Sequence, residues 1–304
     1  MKQALHAGRV IRCILFDFGD TLWTHNLATY KHADRLARQH MVQTVSTYIN
    51  PQLFPIADLE EFGLLLDKQL HHEVRLRMRQ KIGYEPDFAD CTISVLAQFG
   101  LPHLDHAAGA AIFEASRVRI PESRTILPDT YTTLAGLQER GYILGVVTNR
   151  SHGGVPFQED MRQIGFDRYF DLSAMAVSAD LEIRKPNPDI FLHALKQLDV
   201  SPYETVMVGD SLHADIHGAN MLDMISIWRA KERIREEARA FSSSTRPATD
   251  EQRSDPQNAD DIAREKEAVW RHAQKYRKWE YDMPGCDARP DHIIYTLSEL
   301  LELF

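Results

Sequence analysis

Asp17, Asp20 and Thr21 follow directly on the apolar run Ile11–Phe16. A buried strand that delivers a carboxylate to its C-terminal tip places it where open α/β sheets bind ligands. A plain Asp/Gly turn after a strand would look the same over these residues alone. Three distant segments have a comparable form. Thr148-Asn149 ends the apolar run Tyr142–Val147, and Gly209-Asp210-Ser211 ends Thr205–Val208 with Asp215 beyond it. The third, Arg184-Lys185-Pro186-Asn187-Pro188, is a loop leading into an apolar-striped segment. In a parallel sheet all strand C-termini share one edge, so these residues are expected to converge there. Three carboxylates from among them, a hydroxyl with an amide, and a lysine suit phosphoryl transfer. The carboxylates would hold Mg²⁺, while the metal and the lysine offset phosphoryl charge. Hydroxyl and backbone N–H groups would orient the oxygens.

Strands alternating with helices are needed to carry those tips. Asp129 to Arg140 reads as a helix closed by Gly141, and Tyr142 to Val147 as a buried strand. Phe157 to Ile164 follows as a helix, Leu172 to Val177 as a strand, and Pro188 to Leu198 as a helix with proline in its first turn. Thr205 to Val208 and Ile225 to Trp228 read as strands flanking a helix over Ala214 to Met221, and Asp291 to Leu303 as a closing helix. This rhythm predicts an α/β fold, a parallel sheet with helices on both faces. Residues 24–120 break it. Helical spacing recurs from Leu27 to Val45 and from Ile56 to about Lys81, then near Asp87 to Phe99 and Leu104 to Arg117, with no strand pattern. The expected division is therefore a core of residues 1–23 and 121–304 with an inserted helical domain at 24–120.

A second departure lies at 229–289. Lys231 to Arg239 is a charged helical run, Phe241 to Asn258 a polar segment expected to be a loop, and Asp260 to Tyr281 a helix with Ile262, Val269, Ala273 and Tyr276 on one stripe. The basic-aromatic string from Trp270 to Trp279 fits an amphipathic helix packed on its own domain better than a free interaction surface.

Composition narrows the function classes. Apolar residues make up 43% and charged residues 26%, as in ordinary globular proteins. A formal charge of -9 argues against a general nucleic-acid binder. Cys13, Cys91 and Cys286 are scattered, so they offer neither a zinc framework nor a disulfide scaffold. Cys13 sits inside the first apolar run and reads as a core residue. The absence of a signal-like N-terminus and of a membrane-length apolar stretch leads to an expected cytoplasmic location with no membrane partner.

With four motifs in order, the sequence resembles the haloacid dehalogenase-like hydrolase superfamily. FDFGDTL is similar to its first motif, VVTN to its second, RKPNPDIF to its third and GDSLHAD to its fourth. The resemblance runs from about Ile11 to Trp228, plus the last helix. It implies a Rossmann-like core, with Asp17 as the nucleophile that forms an aspartyl-phosphate. Thr148, with Asn149 beside it, takes the phosphoryl-binding position, and Lys185 offsets charge between nucleophile and phosphate. Asp210 and Asp215 become the metal-binding pair, alongside Asp17 and the backbone carbonyl of Gly19. Residues 24–120 become a mobile cap that closes over a small phosphorylated substrate.

Gly19 departs from the pattern. Phosphatases of this family carry a second Asp two residues after the nucleophile, where it protonates the leaving group and then activates water. The next carboxylate here is Asp20, one position later, and a one-residue shift on extended backbone turns a side chain to the opposite face. The leading expectation is a Mg²⁺-dependent phosphatase. The alternatives are a metal-independent haloacid dehalogenase, a phosphonate-cleaving relative using a cap lysine such as Lys31, Lys68 or Lys81, and a catalytically reduced binding or regulatory protein. The cap or the 229–289 insertion offers surface for a homodimer or another protein contact. The cap histidines His25, His71, His72, His103 and His106 fit surface or packing roles.

Overall fold

The computed structural model describes residues 5–6, 8–49, 58–101, 103–244, 259–275 and 288–304. The main strands are β1 (Cys13–Phe16), β2 (Ile143–Thr148), β3 (Ala176–Val177), β4 (Thr205–Gly209), β5 (Ile225–Arg229) and β6 (His292–Ile294). They form a six-stranded sheet in the order β6-β5-β4-β1-β2-β3. Pairing is parallel between β6 and β5, β5 and β4, β4 and β1, and β2 and β3. Helices flank this sheet, so the α/β, Rossmann-like expectation stands. Every residue of β1 and β4 is buried, as parallel strands covered on both faces require.

The helices are α1 (Tyr30–Tyr48), α2 (Leu59–Gln80), α3 (Phe88–Gln98), α4 (His106–Ala115), α5 (Thr130–Glu139), α6 (Gly154–Gln163), α7 (Pro188–Gln197), α8 (Glu232–Ser244) and α9 (Ala259–Lys275). Local chemistry sets several of their starts. Asp58, Asp87, Asp105 and Asn187 each accept backbone N–H bonds at the first turn of α2, α3, α4 and α7. Such caps are worth about 1 kcal/mol each. Gly165 follows α6 with a φ of 75°, a left-handed conformation that favours glycine.

The chain divides into two compact units, one of residues 1–21, 128–144 and 200–304, the other of 22–127 and 145–199. In the first unit, α8 and α9 pack together over Trp228, Leu212 and Ile216, with Ala238 and Val269 buried between them. Trp270 belongs to this packing: its indole N–H donates to the Ala288 carbonyl at 3.3 Å, and Arg289 lies 4.8 Å over its ring. Tyr276 to Trp279, residues 245–258 and Cys286 lie outside the described residues.

In the second unit, α1–α4 enclose their own core of Met41, Val45, Leu66, Val95, Leu96 and Ile112. Asp160 on α6 ties this unit together. Its buried carboxylate accepts from Arg117 at 2.9 Å, from Arg119 at 3.1 Å and from the backbone N–H of Ile120 at 3.0 Å.

Several expectations need correction. The segment 291–303 begins as strand β6, not as a helix, and only Leu297–Leu303 is helical. The β-branched pair Ile293-Ile294 pairs with Trp228 and Arg229, while Asp291 accepts from Ser226 N–H at 2.8 Å and anchors the new edge. The third strand is confined to Ala176–Val177, because the Asp171 side chain and carbonyl fold the preceding residues into a turn. The expected absence of strand in 24–120 fails at its border, where Trp23–His25 pairs antiparallel with Arg124–Ile126. Residues 241–244, expected in a loop, complete α8. The helix after β4 starts early, with Leu212–His217 in a wider, π-type turn.

Replacing Asp160 with alanine should lower unfolding free energy by about 3 kcal/mol, since it removes the buried carboxylate shared by Arg117, Arg119 and the Ile120 N–H. Chemical denaturation would measure this. A loss below about 0.5 kcal/mol would show that Asp160 does not tie its unit together.

Candidate active site

In the first unit, β1 and β4 lie side by side and end together. The Asp17 N–H donates to the Val208 carbonyl at 2.9 Å, so the carboxylate that leaves β1 is anchored to its neighbour. Asp17, Asp210 and Asp215 bring one carboxylate oxygen each to within 4.8 Å of one another. Asp17 and Asp215 are buried. Thr21 sits beside them, its hydroxyl 3.4 Å from Asp17 Oδ2.

The wide turn after β4 places Asp215. Its carboxylate accepts the Ser211 N–H at 2.9 Å, and the Ser211 hydroxyl accepts from Ala214 N–H at 3.0 Å. Gly209 must lack a side chain here, because a Cβ would fall 2.2 Å from the Asp215 carboxyl carbon. Trp228 on β5 donates its indole N–H to the Asp210 carbonyl at 2.8 Å, which fixes the backbone at the middle carboxylate.

Carboxylates crowded into a largely dry site raise one another's proton affinity. Burial pushes the Asp210 carboxyl up to about 7. Lys231 pulls against that shift, and Asp17 and Asp215 add to it. Lys231 Nζ lies 2.7 Å from Asp210 Oδ2 and 2.7 Å from Asp20 Oδ2. Burial alone would lower the Lys231 pKa, yet Asp210 and Asp20 hold it above the ordinary lysine range. Arg229 donates to the Asp20 carbonyl at 2.8 Å. Lys231 and Arg229 are not among the residues expected at the site from sequence. Their signal was available, since both follow the C-terminal end of a predicted strand, where ligand-handling residues collect in such sheets.

Asp20 and Gly19 differ in backbone geometry. Asp20 has a φ of 54°, a left-handed conformation that Asp tolerates better than most residues. Gly19 does not, and a Cβ on Gly19 would meet nothing within 4 Å. The glycine therefore sits where a side chain fits, and the aspartate sits where glycine would be easiest.

In the second unit, Thr148 ends β2 and is buried. Lys185 is also buried, and its Nζ donates to the Val147 carbonyl at 2.7 Å. Asn149 grips the backbone of Lys185 from both sides: its Oδ1 accepts the Lys185 N–H at 2.8 Å and its Nδ2 donates to the Lys185 carbonyl at 3.1 Å. Sequence reading put Asn149 among the substrate-binding groups, and the structure shows its amide positioning the lysine loop. That loop also meets the α2–α3 connection, where Tyr84 pairs with Ile183 and Arg184 bonds Glu85 Oε1 at 3.1 Å.

All-oxygen donors of like charge at this spacing fit a hard divalent cation such as Mg²⁺. Asp17, Asp210 and Asp215 supply such a set. A second group within the same spacing, Asp87, Asp90 and His106, is exposed and joins the start of α3, where Asp87 already caps the helix, to the first residue of α4.

Comparison with known proteins follows the same lines. A family model described as haloacid dehalogenase-like hydrolase matches residues 11–223. A glyceraldehyde 3-phosphate phosphatase of Methanopyrus kandleri is 28% identical over 218 residues, covering 72% of this chain and 83% of that protein. A phosphoserine phosphatase of Thermus thermophilus is 30% identical over 129 residues, 42% of this chain and 48% of that protein. Among solved structures, a 2-haloacid dehalogenase from Pseudomonas syringae pv. Tomato shares the fold, with a TM-score of 0.53 at 21% identity over 96% of this chain and 97% of that one.

Alanine at the two glycines should separate their roles. Gly209→Ala must displace Asp215 and should cost about 1–3 kcal/mol, whereas Gly19→Ala should leave stability near wild type. Equal melting temperatures for the two variants would refute the close approach at Gly209.

Proposed function

Because the chain belongs to the haloacid dehalogenase-like hydrolase family, we propose that it is a phosphatase that cleaves a small phosphorylated metabolite with Mg²⁺ through an aspartyl-phosphate on Asp17. The observation that carries this reading is the clustering of Asp17, Asp210 and Asp215 beside the Thr21 hydroxyl. The relatives named as phosphatases of glyceraldehyde 3-phosphate and phosphoserine support it. Both names describe small phosphorylated molecules, and neither identifies the substrate here. Among the described residues no helix is long and apolar enough to cross a membrane.

In this reading an oxygen of Asp17 attacks phosphorus in line, and the bond from phosphorus to the leaving oxygen breaks. Water then attacks the aspartyl-phosphate, which releases inorganic phosphate and restores Asp17. A divalent cation held by Asp17, Asp210, Asp215 and the Gly19 carbonyl would offset phosphoryl charge. Thr148 is assigned to phosphoryl binding. Lys185 offsets charge from a position that Asn149 sets through its two backbone hydrogen bonds. Helices α1–α4 are assigned the role of cap, which selects the substrate and limits water.

The proton is the distinctive problem. Gly19 has no side chain to protonate the leaving oxygen, and the Asp20 carboxylate is engaged by Lys231. In this reading the leaving group takes its proton from water or from a residue of the helices assigned as cap, which favours substrates whose leaving oxygen is a weak base. General acid–base help is worth about 10²–10⁴-fold, so its absence should show most on alkyl phosphates.

Two measurements test this. Asp17→Asn should reduce phosphate release from an aryl phosphate by at least about 10³-fold, and chelator should silence the wild type. Full activity in the variant, or chelator-insensitive halide release from a haloacid, would overturn the reading. Gly19→Asp, which the open space at Gly19 accommodates, should raise turnover of alkyl phosphates by about 10-fold or more and of aryl phosphates less. Equal gains on both would show that Gly19 is not the vacant acid–base position.

A further inference from the structure

We infer that Lys231 is a resident counter-cation of the acidic cluster, which a divalent metal must compete with, so that this lysine sets how tightly the site takes metal. The inference rests on the metal-binding role proposed above for Asp17, Asp210 and Asp215. Lys231 is not a surface lysine that happens to touch a carboxylate. It bridges two of them at 2.7 Å each, Asp20 from the β1 end and Asp210 from the β4 end.

Its backbone is held for that purpose. Ala230, just before it, is buried and donates its N–H to the Ile294 carbonyl at 2.9 Å, which ties the chain to β6. The Lys231 carbonyl accepts from Ile234 N–H at 2.9 Å and so opens α8. Helix α8 is braced in turn on α9, where Glu265 accepts from Arg235 at 3.0 Å and from Arg239 at 2.6 Å. Helices α8 and α9 thus have a structural consequence at the site: they fix the point from which an ammonium group reaches into the carboxylates. Arg229 steadies the other partner by bonding the Asp20 carbonyl.

An ammonium and a divalent cation both draw on the charge of Asp210. Where two ligands share one acceptor, each weakens the other by the same factor. Lys231 therefore stabilises the metal-free cluster, whose three carboxylates would otherwise repel at close range, and lowers its affinity for metal. The same ammonium keeps Asp20 turned toward it, which accounts for a carboxylate next to Gly19 that does not serve as the missing proton carrier.

The test is calorimetric titration of Mg²⁺ and of Mn²⁺ into the metal-stripped full chain, a readout independent of turnover. Lys231→Met and Lys231→Gln should bind either ion at least about 10-fold more tightly than wild type, and Lys231→Arg should stay close to wild type. In chelator both neutral variants should melt below wild type, and added Mg²⁺ should raise their melting temperatures more than that of the wild type. Wild-type affinity in the neutral variants, or weaker affinity, would overturn the role of Lys231 while leaving the metal site intact. Failure of every protein, wild type included, to take up either ion would overturn the metal-site reading and this inference with it.

Discussion

Three carboxylates within 4.8 Å of one another, two of them buried, are the constraint around which the first unit is organised. Like charges at that spacing disfavour the folded state unless something offsets them. The surrounding structure supplies several offsets at once. The Ser211 N–H bonds Asp215, the Thr21 hydroxyl faces Asp17, and Lys231 sits on Asp210. The space for Asp215 exists because Gly209 has no side chain. Such a cluster is costly for stability and useful for chemistry, a combination usual at functional sites.

The second unit faces a different demand, holding one buried cation at the end of a loop. Lys185 is kept by the Val147 carbonyl at its ammonium and by the Asn149 amide on its backbone. The same loop is paired with the α2–α3 connection through Ile183 and Tyr84, and through Arg184 and Glu85. A change of conformation in α1–α4 that moved this connection would pull on the residues next to Lys185. If α1–α4 act as the cap proposed above, that link is a physical route to the lysine through contacts that lie wholly inside one unit.

Much of the fold was legible because parallel strands covered on both faces are largely apolar, as β1 and β4 are. The helices of 24–120 were legible from their apolar period, and the structure adds the aspartates that cap three of them. The misreadings share a cause. Ile293-Ile294 and Ala176-Val177 are short apolar pieces whose state depends on the strand they meet, and a segment of a few residues carries too little periodicity to decide it. Trp23–His25 and Arg124–Ile126 become strands only by pairing across a hundred residues of intervening chain.

For the site, the sequence by itself placed Asp17, Asp20, Asp210 and Asp215 after predicted strands, and its resemblance to the family singled out Asp17, Asp210 and Asp215 among them. It also determined that Gly19 breaks the expected pattern, since a missing side chain is visible without coordinates. Only the tertiary structure decided what stands in the space around them. Lys231 reaches Asp20 and Asp210 across more than two hundred and about twenty residues respectively, contacts that no local pattern encodes. Asn149 turned out to grip a backbone, because hydrogen-bond partners are fixed by packing and not by spacing. Residue chemistry is local and can be read along a chain, whereas the balance of charge at a point in space belongs to the fold.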